Sequence, residues 1–497
     1  MSISIYRAPI SDARDFIKKI IVDEFNVSDS KADKVYGSIL PHFDNLKDTL
    51  WLVAESHYVD KVYRDSYYHY FSSKLASYLR DCVKVSLFEG EVSIDDFGTE
   101  EKHADLQKRY RGFLTLRPTI PQIIGRSIIS PLALRNNHFC CCTSKFHTTS
   151  NGQKFTVKGF PHSSQDCETI TCAETTLWAL MEYFSNKYSD YKPVLPSKII
   201  DVLNSMSAER QMPSRGLNIQ QMAFALRSFG FGAKIYSRSD YKHEFNSLLG
   251  CYIDSGLPII ITMDNFETKK TIGHALLCIG SEIINDAQIE AINGLVLSRG
   301  IKCYDYAEAE RNYIFIDDNR HIYQKAKLTA PAAHYSDANW HDCNITYFIV
   351  PLYSKIYLEA FEAKHFVINF LQYCHFPLND CSAFLLRFFL TSSRSYKDQI
   401  ARNETIQNEL KYVIIEAPMA KFIWVAELST KALMKQKKAN GLVILDATEA
   451  DVYDNKPLIL AVYQDILIKF DDKHRDLEKI PLSLREFLIY EHNLQQF

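Results

Sequence analysis

Three short stretches hold the residues best suited to chemistry. The first is Gln165-Asp166-Cys167-Glu168-Thr169-Ile170-Thr171-Cys172. From Cys172 onward the chain reads as a helix, because Leu177, Leu180, Met181 and Phe184 recur at spacings of three and four. A cysteine in the first turn of a helix has its sulfur near the positive end of the macrodipole, which favours a thiolate. Gln165 lies seven residues earlier, close enough to return beside the sulfur and offer an amide N–H to an oxyanion. These are two parts of a cysteine nucleophile site.

A cysteine opening an apolar helix is also an ordinary small buried residue. The catalytic reading therefore needs a histidine and an orienting group downstream. The second stretch, Gly273-His274-Ala275-Leu276-Leu277-Cys278-Ile279-Gly280, supplies the histidine at the start of a buried-type strand. The third, Asn312 to Asn319, reads as a strand that ends in Asp317, Asp318 and Asn319. Paired Asp after a strand is a turn signal. It is also where a partner that orients His274 can sit.

The elements around these stretches set the frame. At 497 residues the chain has room for about three domains. A net charge of −3 argues against a general electrostatic nucleic-acid binder. The segment Met1 to Arg7 lacks a basic run followed by an apolar one, and no stretch of about eighteen apolar residues occurs, so neither export nor a membrane span is expected. With no CxxC pair, reduced thiols in a cytoplasm are the simplest expectation. Cys140, Cys141 and Cys142 are flanked by His138 and His147, but consecutive strand residues point to opposite faces and cannot chelate one ion together. No metal and no cofactor are expected.

Residues 1–110 read as mainly helical, with helical spacing of Leu and Tyr from Asn45 to Asp81 and a strand at Val83 to Phe88. Residues 89–104 read as a loop. Asn151-Gly152 marks a hairpin. Asn218 and Gly230 bracket a capped helix. Residues 281–310 read as a polar insertion. Beyond Pro351 the pattern predicts a helix over Tyr357 to Cys374 and a loop over Ser392 to Asn403. Strands follow at Tyr412–Glu416, Phe422–Leu428, Gly441–Leu445 and Leu458–Phe470.

Taken together, Gln165, Cys172 at a helix start, Gly273-His274 at a strand start and Asp317 at a strand end resemble the papain-like cysteine peptidases. The likeness is to the bacterial branch similar to the C39 peptidase family. Gly216-Leu217 before an Ala-rich helix and Ser255-Gly256-Leu257-Pro258-Ile259-Ile260 before the His strand carry the resemblance further, over about 155–330. The resemblance implies Cys172 as nucleophile, His274 as general base and acid, Asp317 as orienter and Gln165 as oxyanion-hole glutamine. Four departures bear on the assignment. Gln165 lies seven residues before Cys172, where the branch has about six. Ala173 stands where the branch usually has Gly. Asp318 or Asn319 could take the third role. Asp166-Cys167 mimics the branch's Asp-Cys pair, which makes Cys167 a rival nucleophile.

The expected fold is thus α+β, with a papain-like domain over 111–350, an N-terminal helical and β region over 1–110 and a C-terminal α+β domain over 351–497. The expected activity is thiol-dependent hydrolysis of peptide or isopeptide bonds. The alternatives are an amidase or transglutaminase-like acyl transferase on the same triad, or a papain-like binding protein without turnover. Expected partners are a peptide or protein substrate and a protein docking on the flanking domains, with no nucleic acid and no membrane.

Overall fold

The computed structural model describes residues 4–297, 300–373, 383–471, 476–491 and 493–497. The chain is mixed α and β and is built on three large sheets.

The first sheet has seven strands in the order Ile5–Pro9, Leu50–Tyr58, Cys82–Glu89, Tyr110–Leu116, Ser127–Ile129, Gln153–His162 and Ser144–Ser150. The helices Ala13–Phe25 and Asp29–Asp44 bury Ile17, Ile20, Val35 and Ile39 in the main core. At the Asn151-Gly152 hairpin both residues have positive φ (48° and 75°), as the tight turn requires.

Three expectations change here. The helical reading of Asn45 to Asp81 fails at Leu50–Tyr58, which is a strand, and holds only for the helix Lys61–His69. Leu52, Val53 and Ala54 are all fully buried, so the strand is covered on both faces and shows no period of two. The boundary drawn at 110 falls inside this sheet, whose strands continue to His162. The segment read as a loop over 89–104 also ends in a helix, Glu100–Arg109, capped by the Thr99 side chain.

The second sheet carries the candidate site. Its order is Gln324–Ala326, Tyr313–Ile316, Gly273–Glu282, Ile259–Asp264, Asn344–Tyr353 and Phe231–Ser237, with every neighbouring pair antiparallel. Phe139–Cys141 pairs with the far end of Gly273–Glu282, and Gln495–Gln496 pairs with Phe139–Cys141. Asn218 accepts from Gln221 N–H to cap the helix Ile219–Ser228, and Gly230 follows it at φ 99°.

The third sheet runs Gly294–Val296, Lys302–Asp305, Ala383–Ser392, Phe422–Ser429, Gly441–Asp446, Leu458–Tyr463, Ile466–Asp471 and Asp476–Pro481. The polar insertion over 281–310 therefore supplies two strands to a sheet whose other strands follow residue 382. Lys302–Asp305 pairs parallel to Ala383–Ser392.

Local readings in this part of the chain also change. Ser392 to Asn403 is a helix, Ser393–Arg402, whose N-cap Ser392 accepts from Ser395 N–H. Tyr412–Glu416 belongs to the helix Asn408–Glu416, which buries only Leu410 and Ile414, four residues apart. Its β-branched run Val413-Ile414-Ile415 imitates a strand. Leu458–Phe470 is a hairpin that turns at Gln464, where φ is 52°. The helix predicted to reach Cys374 is described as Ala360–Tyr373, and Cys374 lies outside the described residues.

Candidate active site

Cys172 is the first residue of the helix Cys172–Lys187, in which Ala173 through Phe184 are all buried. The apolar stripe alone does not require that. The small residues Ala173, Thr175 and Thr176 let the helix sink against the histidine strand, and Thr176 Oγ1 donates to the Ala275 carbonyl at 3.1 Å.

The helix start is fixed locally. Thr171 donates from its N–H and its hydroxyl to Glu174 Oε2 at 3.1 and 2.6 Å, and Ser214 donates to the other oxygen of the same carboxylate. Ahead of it, Asp166 Oδ1 accepts the N–H groups of Glu168, Thr169 and Ile170 at 2.9, 2.7 and 3.0 Å. The buried Arg117 guanidinium donates to the carbonyls of Gln122, Ser164 and Gln165 at 3.1, 2.7 and 2.8 Å. The loop that presents Cys172 is thus held from both ends.

His274 is buried at the start of its strand. Its Nε2 lies 3.0 Å from Asp317 Oδ1 and 3.6 Å from Asp318 Oδ1. The Cys172 side chain is a hydrogen-bond partner of the same imidazole. With Nε2 turned to the carboxylates, the other ring nitrogen is the one left for sulfur. The Trp340 ring stands edge-on to the imidazole, centroids 5.3 Å apart. Tyr335 stacks on Trp340 at 3.8 Å and donates its hydroxyl to Asp317 Oδ2 at 2.6 Å. Asn319 N–H donates to Asp317 Oδ1 at 2.9 Å, and His162 Nε2 donates to the Asp317 and Arg320 carbonyls at 3.1 Å each.

The electrostatics follow from this packing. Burial opposes charge on His274, but the Asp317 charge and hydrogen bond, the Cys172 contact and the Asp318 charge outweigh it and hold the imidazole well above its usual range. Burial also works against ionised Asp317. The His274 charge and hydrogen bond, the His334 imidazole 3.8 Å away and the Tyr335 hydroxyl keep that carboxyl well below the usual carboxylate range. Asp318 behaves differently. Burial, then the Asp317 charge, push it up to about 7 against the pull of His274.

The predicted site residues fare unequally. Cys172, His274 and Asp317 come together as one hydrogen-bonded line. The Gln165 amide donates to Asn319 Oδ1 at 2.8 Å, which ties the loop before Cys172 to the loop after Asp317. Cys167 is exposed at φ 63°. Desolvation and the Asp166 and Asp318 charges push its thiol up, which counts against it as a nucleophile. Asn319 serves Asp317 through its backbone and accepts from Gln165 through its side chain.

Sequence reasoning missed Tyr335, Trp340 and Arg117. The available signal was Trp340, one of four tryptophans, standing in a polar stretch where a large aromatic has no core to fill. Among the described residues, His274, Asp317 and Asp318 form the one cluster of His, Cys, Asp or Glu compact enough to hold a cation, and no helix is long and apolar enough to cross a membrane. Compared with known proteins, the chain matches no protein-family model and no curated sequence.

Proposed function

We propose that this chain is a papain-like cysteine peptidase of the branch similar to the C39 family, with its catalytic domain within 111–350. One observation carries the reading. A thiol at a helix start shares an imidazole with a buried carboxylate that is itself held by Tyr335 and the Asn319 N–H. That is the constellation a nucleophilic cysteine needs: sulfur, base and orienter.

The chemistry follows from the ring nitrogens. Asp317 fixes the proton on Nε2, so the opposite nitrogen is free to take the Cys172 proton. Sulfur then attacks the carbonyl carbon of a peptide or isopeptide bond. The oxyanion is met by the Cys172 backbone N–H and the Gln165 amide. The imidazolium returns its proton to the leaving amine as the C–N bond breaks, leaving a thioester on Cys172. Water, deprotonated by His274, attacks the thioester and releases a carboxylic acid and the Cys172 thiol. Trp340 and Tyr335 keep bulk water off the His274–Asp317 bond.

The test is to incubate the full chain with a broad peptide library and to follow both cleavage and the mass of the Cys172 peptide. A transient acyl adduct on Cys172, with cleavage lost in Cys172→Ala, is the expected result. Cleavage that survives in Cys172→Ala, or no adduct and no cleavage across the library, contradicts the reading. An adduct that an added amine resolves faster than water does would make the chain an acyl transferase instead.

A further inference from the structure

The third role in the triad needs one carboxylate, and Asp317 fills it. Asp318 is left over. It is 5% exposed, and neither of its oxygens has a hydrogen-bond partner in the fold. A carboxylate shut away from water without a donor is costly unless something else meets it. Its oxygen lies 3.6 Å from His274 Nε2, on the same nitrogen that Asp317 approaches at 3.0 Å, and the three ligand atoms fall within 4.8 Å of one another.

The two distances from His274 Nε2 are those of a coordination sphere. Tetrahedral zinc with bonds of about 2.1 Å has ligand-to-ligand edges of roughly 3.4 Å, between the two distances here. One imidazole nitrogen and two carboxylate oxygens also suit zinc in kind and leave a fourth position open. Tyr335 holds the other Asp317 oxygen at 2.6 Å, which keeps that carboxylate oriented as a ligand. The ligands sit 43 residues apart in the chain, so no motif announces them.

We propose that His274 Nε2, Asp317 and Asp318 form a binding site for a divalent cation of the zinc class, and that the bound ion switches the thiol site off. Zinc takes a lone pair on Nε2, and the ring's single proton moves from Nε2 to Nδ1 by way of solvent. The ring stays neutral, and Nδ1 then has no lone pair to accept the Cys172 proton. No oxidation state changes, and the two carboxylates balance the ion's charge. The switching half of this inference rests on the peptidase reading, while the binding half does not.

Zinc chloride titrated calorimetrically into full-length Cys172→Ala protein tests it, because sulfur cannot then be a ligand. One zinc per chain is expected, with affinity at least tenfold weaker once Asp318→Asn is added. No binding by Cys172→Ala, or equal affinity with and without Asp318→Asn, overturns the proposal. Cobalt(II) spectra avoid any reliance on the Asp318 variant folding. Tetrahedral d–d bands retained in Cys172→Ala, with no sulfur-to-cobalt charge transfer in the parent chain, are expected. Bands that vanish with Cys172 mean an ordinary thiol–imidazole chelate and overturn it. If the chain proves not to be a peptidase, zinc held by Cys172→Ala still stands as its own result.

Discussion

Thr176, one turn into the cysteine helix, donates its hydroxyl to the carbonyl of Ala275, the residue after His274, at 3.1 Å. This buried bond joins the helix that opens with Cys172 to the strand that opens with His274. Thr176→Val keeps the shape and removes the donor. It should cost about 1–2 kcal/mol of stability, read by urea unfolding. It should also slow electrophile labelling of Cys172 more than a surface change of equal stability cost does.

Tyr335 donates to Asp317 and stacks on Trp340. Tyr335→Phe keeps the stack on Trp340 and removes the 2.6 Å donor to Asp317. The carboxylate is then free to rotate. The labelling rate of Cys172 should fall several-fold, and by more in Asp317→Ala. Equal rates in Tyr335→Phe and the parent would mean that Asp317 needs no outside support.

Acid should loosen the fold through the histidines behind the site. Burial, opposed by its bonds to the Asp317 and Arg320 carbonyls and by the Asp317 charge, holds His162 down at about 4. Burial, with the charges of His162 and His321, also lowers His42. A depressed histidine binds its proton more readily in the unfolded chain. Its stabilising contribution is therefore complete above about pH 6.5 and is lost as pH falls toward 4. For His162 the loss amounts to about 3 kcal/mol. Urea midpoints across that window should fall more steeply for the parent than for His162→Gln.

Glu182, on the cysteine helix, accepts from Arg126, just ahead of the strand Ser127–Ile129, at 2.9 and 3.0 Å and from Lys61 at 3.0 Å, and it is buried. Glu182→Ala strands the Arg126 guanidinium in the interior and should cost about 3–5 kcal/mol. Replacing both partners, as Arg126→Met with Glu182→Leu, should recover much of that loss. Thermal unfolding of the three variants decides it.

Cys172 and His274 were legible because each sits at a local boundary that sequence marks: a threefold-fourfold apolar stripe for one, a glycine before an apolar run for the other. Asp317, Asp318 and Asn319 could not be separated, since three polar residues at a strand end look alike until their partners are known. Tyr335 and Asn319 N–H single out Asp317, and the lack of any donor singles out Asp318. The strand Leu50–Tyr58 was hidden because burial on both faces erases its alternation. The place of Lys302–Asp305 beside Ala383–Ser392 was hidden for another reason. Pairing between distant segments leaves no local pattern in either one.

The most direct test of the central claim is thiol reactivity at near-neutral pH. The full chain would be treated with limiting iodoacetamide or an epoxide probe and the modified cysteine mapped by mass spectrometry, with His274→Ala alongside. Selective labelling of Cys172 that is lost in His274→Ala is the predicted result. Labelling centred on Cys167, or spread over exposed thiols and indifferent to His274, would contradict it.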